Sequence, residues 1–127
     1  MAECRPRQPG YPAMTRLSAA FAREWARAQA ARLDGDYELA FHHLERAHIL
    51  GQRRTWLHVK SHLGMLRLGW QRHDPREITG QLTRVVAAAI FSRFWVPLGN
   101  TGRACVSATQ PMPVPPDLQT VLDEQEA

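Results

Sequence analysis

The fold is decided by residues 33–51, which read LDGDYELAFHHLERAHILG. Gly35 suits the left-handed position that ends one helix, and Asp36 suits the N-cap of the next. Apolar side chains then recur at helical spacing, which predicts a helix over residues 37–50 with one inward face. Because the connection is so short, the two helices should form an antiparallel hairpin.

The same periodicity, read outward from this hairpin, predicts three further helices, over residues 13–33, 55–72 and 76–95. Asp74 and Pro75 fit the N-cap and first position of the last helix. No convincing stretch alternates with the period of two that strands require. The sequence therefore predicts an all-α, antiparallel four-helix domain, made of two helical hairpins, over residues 13–96.

The two ends of the chain differ from this middle. Residues 1–12 contain three prolines and a glycine without apolar periodicity, which predicts a flexible N-terminal segment. Residues 97–127 predict an extended, Pro-rich C-terminal tail that packs on the bundle and frays over its last five residues.

Composition restricts the classes of function. The chain has 127 residues, 44% of them hydrophobic, which suits one domain. The longest strongly apolar run, residues 85–91, is far shorter than the ~20 residues that span a bilayer. No secretory signal is visible, so we expect a cytoplasmic protein that does not interact with membranes. The net charge of +4 comes from arginines spread along the chain, a distribution that disfavours nucleic-acid binding.

Five side chains predict a metal site between the first three helices. Glu24 falls within the apolar stripe of the first helix, although Glu is seldom buried without a partner. Glu45 and His48 form a Glu-x-x-His pair on the second helix, and His58 and His62, four apart, share a face of the third. Antiparallel packing places all five at similar heights. Imidazole and carboxylate suit one zinc, iron, manganese or copper ion.

Other interpretations of these residues stay open. The same histidines and glutamates could neutralise one another in the core, or pair with Arg46 or Arg93. The metal-binding hypothesis predicts a small non-catalytic protein that retains an ion. An enzyme using the ion for redox chemistry is a third hypothesis, and the sequence contains none of the nucleophile, Walker or dinucleotide motifs that would favour catalysis.

The chain resembles a family of small bacterial proteins catalogued as a domain of unknown function. The matching residues are Ala40-Phe41, HLERAHILGQ at 43–52, His58 and His62, Pro97, GNTG at 99–102 and PMPVP at 111–115. The resemblance covers residues 15–118 and implies no particular activity. Members of that family are often encoded beside heavy-metal resistance genes, which implies a link to metal stress.

A second resemblance concerns the first helical turn. Residues 35–40, with Ala47, resemble the central turn and second helix of one tetratricopeptide repeat. This resemblance implies a helical scaffold for protein–protein interaction, in which the histidine and glutamate cluster would be purely structural.

Overall fold

The computed structural model describes residues 14–126, and within that range the protein is all-α with no strand. Five helices follow one another: α1 Arg16–Leu33, α2 Tyr37–Gly51, α3 Thr55–Gln71, α4 Pro75–Phe91 and α5 Pro116–Glu126. The predicted all-helical class is confirmed. The predicted flexible segment 1–12 lies outside the described residues.

Side-chain caps explain where the helices begin. Thr15 accepts a hydrogen bond from the backbone N–H of Ser18, 3.1 Å away, at the start of α1. Asp36 accepts from the N–H of Leu39 at the start of α2, and Asp74 accepts from the first turn of α4. These bonds satisfy amides that have no partner within the helix.

Consecutive helices pack against each other, α1 on α2, α2 on α3 and α3 on α4. The core lies mainly along α2, which contacts the helices on both of its sides. Its largest fully buried side chains are Phe41, Leu44 and Leu50. Because α4 packs extensively on α3, whereas α1 packs on α2, the first and fourth helices lie toward opposite sides of the domain.

The C-terminal tail differs from the predicted extended and fraying segment. Residues 97–115 lack regular secondary structure, and the N–H of Met112 donates to the carbonyl of Leu98. Residues 116–126 then form α5, which packs on α1 and α2. Proline suits the first helical position, and Leu118, Val121 and Leu122 give the helix an apolar face against the core.

The outer surface of α3 and α4 is apolar. Seven large apolar side chains on these two helices are at least 41% exposed: Trp56, Leu63, Trp70, Leu82, Val86, Ile90 and Phe91. In the described range, no helix has the combination of length and apolarity needed to cross a bilayer.

Candidate metal centre

Three buried histidines meet where α2 and α3 face each other. His48 lies in the last turn of α2, and His58 and His62 lie one turn apart on α3. Their exposed fractions are 2%, 7% and 3%. The spacing of four residues directs both α3 rings to the same side, toward α2.

The three Nε2 atoms form a nearly equilateral triangle. The Nε2 atom of His48 lies 3.0 Å from that of His58 and 3.1 Å from that of His62, and the third side is 3.2 Å. An ion ~2.05 Å from each nitrogen would lie ~1 Å above this triangle, with N–metal–N angles of ~98°. That angle lies between the ideal octahedral and tetrahedral values. Among the described residues, this is the group whose ligand atoms are close enough to share an ion.

Hydrogen bonds determine the tautomers of two of these rings. Nδ1 of His48 lies 2.8 Å from the carbonyl oxygen of Asn100, which can only accept, so Nδ1 donates and Nε2 presents a lone pair. Nδ1 of His62 similarly donates to Oε1 of Gln81 at 2.7 Å. The amide nitrogen of Gln81 donates to Glu77, which fixes the orientation of the amide. His48 and His62 therefore direct two lone pairs toward each other.

The third ring, that of His58, has no such partner for its Nδ1 atom among the residues that the structure describes. Nδ1 of His58 is buried and, within the described part of the chain, has no hydrogen-bond partner. Only the Nε2 of His58 is free to carry a proton at the triangle, and one proton cannot serve three converging nitrogens well. A cation bound by three lone pairs would satisfy all three Nε2 atoms at once.

Burial keeps the three rings neutral. It lowers the pKa of His48 well below the ordinary value of 6.5, and the neighbouring His62 and His58 lower it further. Burial lowers the pKa of His58 to about 4. Burial and the neighbouring His58 lower that of His62 to about 3. Neutral imidazole is the form that binds metals, so the rings are ready for an ion at neutral pH.

The GNTG loop, residues 99–102, forms one wall of the site. Asn100 is 2% exposed, and its amide nitrogen donates to the carbonyls of Ser107 and Gln110. Its own carbonyl orients His48. Gly102 has a φ of +82°, and a Cβ there would lie 2.9 Å from the His48 ring. Glycine therefore allows the backbone to contact the ring, a function that the sequence did not indicate.

A polar network behind the site joins this loop to α4. The Gln81 amide nitrogen donates to Glu77 at 2.7 Å and to the carbonyl of Gly102 at 2.8 Å. Glu77 also accepts from Arg103 at 3.3 Å. Gln81 is fully buried, so the contact that orients His62 is itself held in place. Such outer partners orient ligands and raise their basicity.

The structure does not bring Glu24 to the histidines. Its carboxylate accepts from Nδ1 of His43 at 2.7 Å and from Nε of Arg46 at 2.9 Å. Burial opposes ionisation of Glu24, but these two partners lower its pKa below the usual value. Pairing with Arg46 is one of the alternatives that the sequence left open. Equal height on the hairpin did not determine on which side of α2 the Glu24 carboxylate lies, and both of its partners are residues of α2.

Glu45 is also held elsewhere. Its carboxylate accepts from Arg103 at 3.2 Å, and that guanidinium lies 3.8 Å from the centre of the Phe41 ring. Burial raises the pKa of Glu45, and Arg103 offsets part of the increase. On α2, Glu45 precedes His48 by three residues and is turned ~60° from it, toward the arginine of the loop. The ligand set that geometry supports is thus three histidines.

A cavity of about 200 Å³ opens beside the triad, between α4 and residues 95–109. Apolar side chains form most of its wall, among them Ala87, Phe91 and Val96, and Arg84 lies in it as well. A site with three protein ligands and adjacent space keeps a coordination position for water or an external ligand.

The sequence matches, over residues 15–122, a family described as "Protein of unknown function (DUF3703)". No curated protein and no solved structure matches the chain. The matched region contains all three histidines, the GNTG loop and most of α5. Because the match covers most of its length, the chain belongs to the DUF3703 family.

Proposed function

We propose that this protein binds one transition metal ion through His48, His58 and His62. The observation that supports the proposal most directly is the convergence of three buried Nε2 atoms 3.0–3.2 Å apart. Two of these atoms have no proton to share, because their rings donate through Nδ1. Burying two lone pairs that face each other, beside a third imidazole nitrogen, is unfavourable in a purely structural core, and a bound cation removes that cost.

Zinc is the ion we favour. Three neutral imidazoles without thiolate suit zinc, copper, iron or nickel, and the absence of a carboxylate ligand disfavours manganese. The ~98° angles and the adjacent cavity suit a four-coordinate zinc ion with one external ligand. Copper(II) should bind more tightly than zinc in a competition, as it does at most nitrogen sites. The link to metal stress stays a prediction.

Metal analysis of the untagged protein tests the proposal. After dialysis against zinc and then buffer, mass spectrometry should find about one ion per chain, and binding should raise the melting temperature. The variants His48→Ala and His62→Ala should lose the ion and the increase. His42→Ala is the matched control, because His42 lies on the same helix but is exposed. Absence of zinc from the wild type, or full occupancy in His62→Ala, would overturn the proposal.

An interaction scaffold is a second candidate function, favoured by the exposed apolar surface of α3 and α4. Apolar patches of this kind often mark protein-binding sites. Sedimentation of the protein with and without EDTA separates the two functions. A chelator-insensitive oligomer that the double variant Leu82→Glu, Ile90→Glu abolishes would support the scaffold. A monomer at all concentrations would contradict a self-associating scaffold and leave the metal proposal in place.

A further inference from the structure

The three histidine ligands would not balance the charge of a bound metal ion. Three neutral imidazoles contribute no negative charge, so a bound divalent ion would keep its full charge of +2. Arg84 lines the same cavity, and its positive charge acts on the rings of His48 and His62. Two positive groups facing one apolar cavity repel each other strongly, because the low dielectric constant reduces screening.

Within residues 14–126, no carboxylate pairs with Arg84 to offset its charge. Its guanidinium donates to the carbonyls of Val106, at 2.7 Å, and Gly80, at 3.3 Å, and both acceptors are neutral. It forms no salt bridge with a residue that the structure describes. The negative charge of Glu77 acts on Arg84 without a direct contact, and that carboxylate already accepts hydrogen bonds from Arg103 and Gln81. Guanidinium donors remain for a ligand, since this side chain has five N–H groups.

The cavity limits the size and polarity of what it can hold. Its volume of about 200 Å³ exceeds what one water needs but is smaller than the ~300 Å³ or more of drug-sized sites. Phe91 and Val96 supply apolar walls. Ser92 and Asn100 also line the cavity, but the hydroxyl of Ser92 and the side-chain amide of Asn100 already donate to backbone carbonyls, which leaves few donors besides Arg84. A phosphate ion would need more donors than these. A short-chain carboxylate needs two polar contacts and places its hydrocarbon part against the wall.

We propose that a small carboxylate binds in this cavity, with one oxygen on the metal ion and the other on Arg84. This inference rests on the proposed metal function. It assigns the external coordination position to an anionic organic ligand, and it gives Arg84 the task of binding that ligand.

Cobalt(II)-loaded protein provides the test, because the visible spectrum of cobalt reports a change in its fourth ligand. The probes are acetate, propionate and inorganic phosphate. Propionate should bind about fourfold more tightly than acetate, through one additional buried methylene. Arg84→Gln should weaken propionate binding about tenfold or more and leave the cobalt content unchanged. Arg84→Lys should recover part of the affinity, and the exposed Arg76→Gln is the matched control.

The outcomes separate this inference from the proposed function. A cobalt spectrum that responds to none of the three anions would overturn the inference and leave the metal site intact. Phosphate binding more tightly than propionate would overturn the carboxylate class. Unchanged propionate affinity in Arg84→Gln would overturn the assignment of Arg84. Failure of the wild type to bind cobalt or zinc would overturn the metal function, and the inference with it.

Discussion

Replacing His58 with leucine should stabilise the metal-free protein, although His58 is only 7% exposed. Its Nδ1 is buried without a partner among the described residues. A buried polar atom left unsatisfied costs about 1–3 kcal/mol, and leucine fills similar space without one. Leucine also removes the Nε2 proton that His58 can share with His48 and His62, a hydrogen bond worth about 1 kcal/mol. In EDTA at pH 7, we therefore expect the free energy of unfolding of His58→Leu to exceed that of the wild type by at most about 2 kcal/mol. Urea denaturation followed by circular dichroism measures it.

Acid should widen this difference. The pKa of His58 is about 4 in the folded protein and 6.5 in the unfolded chain. Between these values the unfolded wild type binds a proton that the folded one does not, so stability falls as pH falls. From pH 7 to pH 5 this costs the wild type about 2 kcal/mol that the His58→Leu variant does not lose. Repeating the urea denaturation at pH 5 tests whether the stability difference between His58→Leu and the wild type increases, as we expect.

Zinc should reverse the order of stability. A free concentration one thousand times the Kd stabilises the wild type by about 4 kcal/mol. His58→Leu lacks one of three ligands, so it should gain much less. A matched His42→Leu variant, changed at an exposed position on α2, should shift either value by no more than about 0.5 kcal/mol. If His58→Leu is less stable than the wild type in EDTA and zinc changes neither, the triad is an ordinary packed core and our reasoning is refuted.

Three further predictions concern the surroundings of the triad. Gln81→Leu should reduce zinc affinity about 10- to 100-fold in a calorimetric titration, because His62 loses its orienting acceptor; unchanged affinity would contradict this. Gly102→Ala should lower both the melting temperature and zinc affinity, because its φ of +82° and its 2.9 Å approach to His48 exclude a Cβ; wild-type values would contradict it. Zinc binding at pH 6, where water on zinc keeps its proton, should release almost no protons, since burial keeps the three rings neutral; release of about one proton or more, detected by calorimetry in buffers of different ionisation enthalpy, would contradict it.

Much of the helical architecture could be predicted from local signals. Asp36 and Asp74 cap helices as expected, and periodicity located the helices within a few residues. The helix α5 was missed because a proline-rich approach and an acidic end suggested an extended, fraying chain. Its apolar face is only three residues long, and it becomes decisive only once α1 and α2 form the surface that it covers.

The candidate site was predictable where it depends on one pair of adjacent helices. The sequence predicted that His48, His58 and His62 lie close together. That prediction used the inward faces of the second and third helices and the position of the turn that joins them. The same argument placed Glu24 and Glu45 beside the histidines, but the height of a residue along the hairpin does not determine on which side of α2 its carboxylate lies. Arg46 on α2 binds the carboxylate of Glu24, and Arg103, directly after the GNTG loop, binds that of Glu45.

The GNTG loop could not be placed from sequence. A segment without regular structure has no period from which its path can be inferred. Its position depends on the amide of Asn100 bonding to two carbonyls and on Gln52, whose side chain donates to Pro97 and accepts from Gly99. These contacts become visible only in three dimensions.

X-ray absorption spectroscopy of the zinc-loaded protein tests the central claim most directly. We expect three imidazole nitrogens and one further light atom at ~2.0–2.1 Å, with no sulfur ligand. The imidazole contribution should decrease in His62→Ala and stay unchanged in His42→Ala. A zinc ion surrounded mainly by oxygen, or one with a sulfur ligand at ~2.3 Å, would contradict the account.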